Sequence, residues 1–547
     1  MSPIQSISSA IANSLTLQLV VIAGLILAVR SSRFCGNVVI ANGRMKYPIG
    51  SIVHNIYFHP LSKFPGPKSW AATYLPYIRG IVACNLVQSF AEIHQKYGDV
   101  VRVGPNEISI ASEEAWREIY GHRPGHREAL KDTTWYIAPS GAPQNVFTTT
   151  DPAVRARMRR CLSSSFTQSA ISNQSSIIEG YADLLITRLR EKASAPDSAQ
   201  KGAVVNMGDW ISFFTFDVIG DLALGETFGC LENGEYHAWV RSLCTFLKGM
   251  TFAGVARIYP WVGSFVERFL IPRSVMDQQK QHVEFVSEKV NRRLNLETAR
   301  PDFMTSFLKD NRDFENMSRG EIESNFAILI IAGSDTTTIT MCGTLHCLTR
   351  NTDKLAILED TIRNRFQSEK DITVDGTKDI PYLDAVIEEG LRLCPAIPAL
   401  LPRVVPAGGE TYSGHYLPGG TKISVRPAIL HTSARYFEAP HEFHPERWLP
   451  ADQRPGQFAN DNHAASRPFS VGPTGCVGKG LAWAELRLII ARLVWAFDMS
   501  VDPDHALDWT KWKARIVVEK GPQFLRLKER PCGEYGWDID WDVPVFY

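Results

Sequence analysis

Cys476 stands in the stretch Phe469-Ser-Val-Gly-Pro-Thr-Gly-Cys-Val-Gly-Lys-Gly-Leu-Ala-Trp-Ala-Glu485, among Gly472, Pro473, Gly475, Gly478 and Gly480. An amphipathic, helix-patterned segment begins just after it. A sulfur in a tight loop at a helix N-terminus is offered backbone N–H groups and the positive end of the helix dipole, and both favour the thiolate. Glycines let a flat, bulky group approach the backbone closely. A thiolate presented this way suits a metal or a nucleophilic reaction. A buried cysteine in a turn is the competing reading of this stretch taken alone.

A second group lies in a long apolar segment. Ser318 and Glu321 have the spacing of a capping box and mark a helix start. Further on, the chain reads Phe326-Ala-Ile-Leu-Ile-Ile-Ala-Gly-Ser-Asp-Thr-Thr-Thr338. Apolar residues run round every face, so the helix is buried. Asp335 and Thr336 are costly there unless they have partners or a task. Threonine hydroxyls bond back to the carbonyl four residues earlier, and Gly333 allows the helix to widen. A distorted turn with a hydroxyl and a carboxylate suits proton delivery to a bound ligand. A kinked helix with satisfied polar groups is the alternative. A third group, Glu389 and Arg392, shares one helix face ahead of Pro395 and reads as a structural salt bridge. Arg447, in Phe443-His-Pro-Glu-Arg-Trp448, could complete a three-charge knot.

Helices must position these groups. Helical patterns cover Ser89–Tyr97, Val154–Phe166, Ile177–Arg190, Asp209–Leu224, Val275–Asn295, Glu321–Thr349 and Leu481–Phe497. Strand patterns are short: Val100–Val103, Glu107–Ile110, Thr421–Val425 and Gln523–Leu527. The fold class is therefore mainly α with minor β sheet. With 547 residues, 44% hydrophobic and 21% charged, the chain has ample apolar surface to bury, which excludes disorder for most of it. Lys+Arg and Asp+Glu are 58 each, which argues against nucleic-acid binding through bulk charge. A mean hydropathy of -0.12 excludes a multi-span membrane protein. The ten cysteines contain no C-x-x-C pair, and their scatter fits neither a disulfide framework nor a zinc site.

Met1 to Val29 carries no charged side chain, and Arg30 and Arg33 follow at once. Residues from about Ile11 to Val29 nearly supply the ~20 apolar residues a membrane helix needs, and the arginines predict a cytoplasmic body. A cleaved signal peptide is the alternative; the missing basic n-region weighs against it. The expected organisation is an anchor at 1–30, a linker with a Pro-rich hinge at 31–67, and a globular domain at 68–547. Ser31 to Ile56 holds a second weak apolar patch.

Together these blocks resemble the cytochromes P450, the haem-thiolate monooxygenases, over nearly the whole chain. The family's F-x-x-G-x-R/H-x-C-x-G block is matched by Phe469, Gly472, Cys476 and Gly478. Its A/G-G-x-D/E-T block is matched by Ala332-Gly-Ser-Asp-Thr336, its E-x-x-R pair by Glu389 and Arg392, and its later arginine by Arg447. The Tyr57-Phe-His-Pro-Leu and Phe64-Pro-Gly-Pro67 stretch looks like microsomal members from filamentous fungi. The resemblance implies a cytochrome P450 fold: a single large haem domain behind an N-terminal transmembrane anchor. It implies heme b (iron protoporphyrin IX) with Cys476 on the iron, and Asp335 and Thr336 managing protons. It also implies propionate contacts from Arg403, Arg159 and Arg155.

Two positions depart from the family pattern. Thr474 replaces the basic residue of the cysteine loop. The Trp-x-x-x-Arg that the family often has in the helix preceding Phe166 is matched, counting back from Phe166, by Arg155 and Arg159. The implied partners are a separate NADPH-cytochrome P450 reductase, since the chain has no flavin or nicotinamide domain, and a lipophilic substrate of secondary metabolism. The implied location is the endoplasmic reticulum membrane, single-pass, with the catalytic domain cytoplasmic. The helices at Val154 and Gly478 are expected to border the thiolate side, with Arg155 and Arg159 inward. Arg157, Arg160 and Lys479 would point outward to steer an acidic reductase surface. A haem-thiolate isomerase or dehydratase, and a haem sensor without turnover, are the alternatives; the intact Asp335-Thr336 pair argues against the first.

Overall fold

Helix caps and apolar spacing place the elements that carry the candidate residues. A computed structural model describes residues 48–530, apart from 137, 139–141, 195–200, 260–272, 297–299, 312–313, 400–401, 506, 510–512 and 520. The expected anchor at 1–30 and the first part of the expected linker lie outside the described residues. In chain order the elements used below are α1 (Leu86–Tyr97), β1 (Val100–Gly104), β2 (Glu107–Ile110), β3 (Leu130–Lys131), α2 (Pro152–Ser163), α3 (Ser175–Ala193), β4 (Ala203–Asn206), α4 (Met207–Leu224), α5 (Arg273–Leu294), α6 (Arg319–Arg350), α7 (Pro381–Leu393), β5 (Arg403–Val404), β6 (Glu410–Tyr412), β7 (His415–Leu417), β8 (Lys422–Val425), α8 (Lys479–Ala496), β9 (Phe497–Val501) and β10 (Phe524–Glu529). Every helix and strand pattern expected between residues 89 and 527 has a counterpart here, with ends moved by a few residues.

The caps explain the starts. The Asp151 carboxylate accepts the N–H groups of Ala153 (2.8 Å) and Val154 (3.3 Å), with Pro152 in the first turn of α2. Ser318 and Glu321 form the expected capping box of α6. Its Glu321 carboxylate also takes Arg157 Nη2 at 2.7 Å, which ties α2 to the start of α6. Among the described residues, α6 is the one helix long and apolar enough to cross a membrane, yet most of its apolar stretch is buried in the body. It is the core helix of the molecule. Packed on it is α4, buried at every position except Asp209. The Thr215 and Thr338 hydroxyls meet between the two helices at 2.8 Å.

The strands form a sheet in the order β1-β2-β8-β5-β3, a three-stranded sheet β4-β10-β9 and the hairpin β6-β7. Only the β2–β8 pair of the large sheet is parallel; β5 runs antiparallel to both β8 and β3. The Pro-rich stretch before the body lies along β1, where the Arg102 N–H donates to the Pro65 carbonyl at 2.7 Å. Leu61 and Phe64 are buried in a core shared with Ile108, Ile423 and Val425.

Where α6 crosses α7, two glycines let the backbones approach. A Cβ on Gly390 would sit 2.1 Å from Thr344 Oγ1, and a Cβ on Gly343 would sit 2.4 Å from Cys394 Cβ. This crossing fixes Glu389 and Arg392, both fully buried. The Glu389 carboxylate accepts Arg392 Nε and Nη2 (2.7 Å each), Arg447 Nε (3.1 Å), the His444 N–H (2.9 Å) and Trp448 Nε1 (2.8 Å). Arg392 spends its remaining donors on the carbonyls of His431, Pro440 and Glu442. Burial alone would push the Glu389 carboxyl up; the Arg392 hydrogen bonds and the charges of Arg392 and Arg447 outweigh it and hold it below its ordinary value. The three-charge knot is present, and Asp461 joins it through Arg447.

Removing one partner of a buried ion pair leaves an uncompensated charge, which costs about 3–5 kcal/mol. Glu389→Gln should therefore lower the unfolding free energy of the purified protein, read from its denaturation midpoint, by an amount in that range. A midpoint equal to the wild type's would show that the knot carries no net stability.

Candidate functional site

The cysteine loop is shaped by close backbone approach. Gly472 has φ +70°, and a Cβ there would lie 2.2 Å from the Tyr120 carbonyl oxygen. The Cys476 N–H closes the loop onto the Phe469 carbonyl at 2.9 Å, and the Gly475 N–H bonds the Gly472 carbonyl at 3.0 Å. Phe469 packs against the main core, and Gly478 caps α8. Among the described cysteines, Cys84, Cys161, Cys230, Cys342, Cys347 and Cys394 are buried; Cys476 is exposed. It is nonetheless enclosed by the body. Burial pushes its thiol up, while the Gly478 N–H and the charges of Arg159 and Lys479 pull the other way. Among the described residues no group of three or more His, Cys, Asp or Glu could hold a metal ion. A metal at Cys476 would thus arrive inside a group that brings its other ligands.

Helix α6 is likewise bare over one stretch of its middle. Ala332 is exposed and Ile328, Asp335 and Thr336 are partly so, while Ile330, Ser334 and Thr337 to Met341 are buried. The Thr336 hydroxyl donates to the Ala332 carbonyl at 2.6 Å. That bond uses the single hydroxyl proton and leaves an oxygen lone pair to accept another. The widening expected at Gly333 is absent: α6 runs through it as regular helix. Gly333 instead makes room for α4, since a Cβ there would lie 2.9 Å from Ile219 Cδ1.

Four cations gather beside the cysteine loop. Arg159, on α2, donates Nη1 to the Gly475 carbonyl at 2.6 Å. Arg403, on β5, donates Nη2 to Thr474 Oγ1 (3.0 Å) and Nη1 to the Tyr136 hydroxyl (3.2 Å). Arg155 is buried and pairs through Nη2 with Glu128 at 2.7 Å; its Nη1 is buried without a partner. The fourth, Lys131 on β3, was not among the residues expected from the sequence. Sequence reading had no access to it: a two-residue strand leaves no periodicity, and its neighbours come from β5.

The outward assignment of cations changes in one place. Arg157 is committed to Glu321 and to the Asn316 carbonyl. It is therefore not a free docking charge, because the N-terminus of α6 takes it. Arg160 and Lys479 are exposed, as expected. Arg487 is held by both oxygens of Asp384, at 2.6 and 2.7 Å.

The family model for cytochrome P450 matches residues 65–526. Cytochrome P450 monooxygenase astJ of Aspergillus oryzae is 41% identical over 481 residues, 88% of this chain and 94% of that protein. Cytochrome P450 monooxygenase lcsI of Purpureocillium lilacinum is 37% identical, over 86% of this chain and 90% of that protein. Cytochrome P450 monooxygenase aclL of Aspergillus oryzae is 36% identical, over 90% and 98%. An uncovered cysteine, a bared helix turn and a cation cluster thus stand within a domain match that spans most of the molecule: the chain belongs to the cytochrome P450 family and is a monooxygenase.

Proposed function

We propose that the chain binds heme b, with Cys476 on the iron, and oxidises a lipophilic small molecule of fungal secondary metabolism. The observation that carries this is the exposed Cys476 in a molecule whose other described cysteines are buried. The surroundings fit a flat dianionic group. Gly472, Gly475 and Gly478 leave its approach clear, and Lys131, Arg155, Arg159 and Arg403 face Glu128 as their one paired carboxylate. The unpartnered Arg155 Nη1 is a donor still waiting for an acceptor.

When bound, haem would supply the redox and oxygen chemistry. The protein's own residues set its conditions. As a thiolate, Cys476 would hold the iron and donate electron density to it. The Gly478 N–H and the Arg159 charge temper that thiolate. Thr336 Oγ1, its proton given to Ala332, presents a lone pair on the bare face of α6 and holds a proton donor in place. Asp335, one position earlier and half-buried, exchanges protons between that face and solvent. Ile328 and Ala332, on the bare stretch of α6, offer part of the apolar wall that a lipophilic substrate needs. Electrons come from NADPH through a separate reductase that approaches the α2–α8 side, with Arg160 and Lys479 as free steering charges. The first 30 residues hold the protein at the endoplasmic reticulum membrane, with the catalytic domain in the cytoplasm.

Expression with a reductase, feeding of candidate lipophilic intermediates and mass spectrometry test the activity; product should require both NADPH and O₂. Cys476→Ala should abolish the thiolate band in the reduced-CO difference spectrum, and Cys394→Ser should leave it. A Cys476→Ala protein that keeps the band would overturn the assignment. Thr336→Ala should still consume NADPH, with more peroxide and less product per NADPH. The loss should approach the ~10²-fold that a positioned proton donor contributes at the low end. An unchanged product ratio would remove Thr336 from proton handling.

A further inference from the structure

The family match ends at residue 526, and the chain runs on past β10 to Tyr547. Residues 531–547 hold Glu534, Asp538, Asp540 and Asp542 and no lysine, arginine or histidine. Because the whole chain has zero formal net charge, these acids leave the other residues with an equal cationic excess. From Trp537 to Val543 the sequence reads Trp-Asp-Ile-Asp-Trp-Asp-Val, a strict alternation of apolar and acidic residues. That period belongs to a strand: an extended segment puts Asp538, Asp540 and Asp542 in one row.

The body fixes where this tail begins. The Arg530 N–H donates to the Ala496 carbonyl at 3.0 Å, and the Arg530 guanidinium lies 5.6 Å from the Trp495 ring. The tail therefore starts at the C-terminal end of α8. At the other end of α8 is a cleft of about 380 Å³, lined by Lys378, Lys479, Trp483 and Arg487 together with Val374 and Gly480. The Trp483 indole N–H is buried without an acceptor. Arg487 covers the Trp483 ring at 4.9 Å and is held by Asp384; Lys378 is held by Asp375. The half-buried Glu388 also acts on Lys479 and Arg487. Among the described residues no carboxylate forms an ion pair with Lys479, whose ammonium lies 5.7 Å from the Phe469 ring. An uncommitted ammonium, two partly neutralised cations and an unused N–H make a receptor for carboxylates.

The distances allow the tail to reach it. A helix rises ~1.5 Å per residue, so Trp483 and Lys479 lie about 20 and 26 Å back along α8 from Ala496. Extended chain covers ~3.3–3.6 Å per residue, so Asp538 can stand about 28 Å from Arg530 and Asp542 about 42 Å.

Resting on the reading that a reductase approaches the α2–α8 side, we infer that residues 537–543 lie as an extended acidic strand against the cleft at the start of α8, where they compete with the acidic surface of the reductase. Their carboxylates pair with Lys479 and accept the Trp483 N–H. The tail is then a brake on electron delivery carried by the chain itself. A tethered ligand acts at high effective concentration, so pairs that are weak one by one suffice to occupy the cleft. Salt releases it, because the Debye length falls from ~10 Å at 0.1 M to ~3 Å at 1 M.

The first test needs no reductase. Purified full-length protein is treated at low salt with a carbodiimide, which joins a carboxylate to a lysine amine where the two touch, and the linked peptides are read by mass spectrometry. Links from Asp538, Asp540 or Asp542 to Lys479 or Lys378 are expected, and ~1 M salt should remove them. Links only to lysines elsewhere, links only to a second copy of the chain, or no links overturn the inference. The second test titrates reductase. Asp538→Asn, Asp540→Asn and Asp542→Asn together should lower the reductase concentration for half-maximal turnover about five-fold at low salt, the weight of one good surface pair. Peroxide-driven turnover, which needs no reductase, should be unchanged in that variant. A half-maximal concentration that stays the same overturns the competition, and one that rises overturns it in favour of a tail that recruits the reductase. Lys479→Glu added to the three asparagine substitutions should raise the half-maximal concentration. If it does not, the reductase does not use this face, and the docking reading fails separately from the crosslinking result.

Discussion

The fixed placement of Cys476 in its glycine-shaped loop is the constraint that the rest of this structure answers to. Protein interiors pack like organic crystals, so a loop and a helix turn can be held in place by rigid neighbours. Those neighbours can be named. Arg159 pins the Gly475 carbonyl, Gly472 seats the loop on Tyr120, and the glycine-notched crossing of α6 and α7 sets the helix frame. The Glu389 knot then binds α7 to the segment that carries Arg447 and Trp448. These groups need touch no substrate to matter, because they fix the cysteine loop and the frame of α6 and α7.

The charges follow the same logic. A chain of zero formal net charge still concentrates four cations within reach of one another beside the cysteine loop. Such a cluster opposes folding unless an anion compensates it, so its stability and its ligand are linked. Glu128 compensates part, through Arg155. The remainder matches a group with two carboxylates.

Much of this was legible before the fold. The capping box at Ser318, the periodicity of the helices and the E-x-x-R spacing are local signals, and each led to the element observed. Cys476 was legible because glycines on both sides restrict what the loop can be. Lys131 was not, since β3 is two residues long and its meaning lies in a partner 272 positions away. Arg157 was misjudged for a related reason. Helix spacing tells which face a side chain takes, and the acid at the start of another helix decides whether its charge stays free. The regular course of α6 through Gly333 has the same origin: the glycine answers to Ile219 across the interface and not to its own helix.

X-ray absorption at the iron edge of the purified, haem-loaded protein tests the central claim most directly. The account predicts one sulfur in the first shell of the iron, beyond the four porphyrin nitrogens, and its loss in Cys476→Ala at equal iron content. An iron shell of nitrogen and oxygen alone in the wild type, or a sulfur that persists in Cys476→Ala, would contradict it.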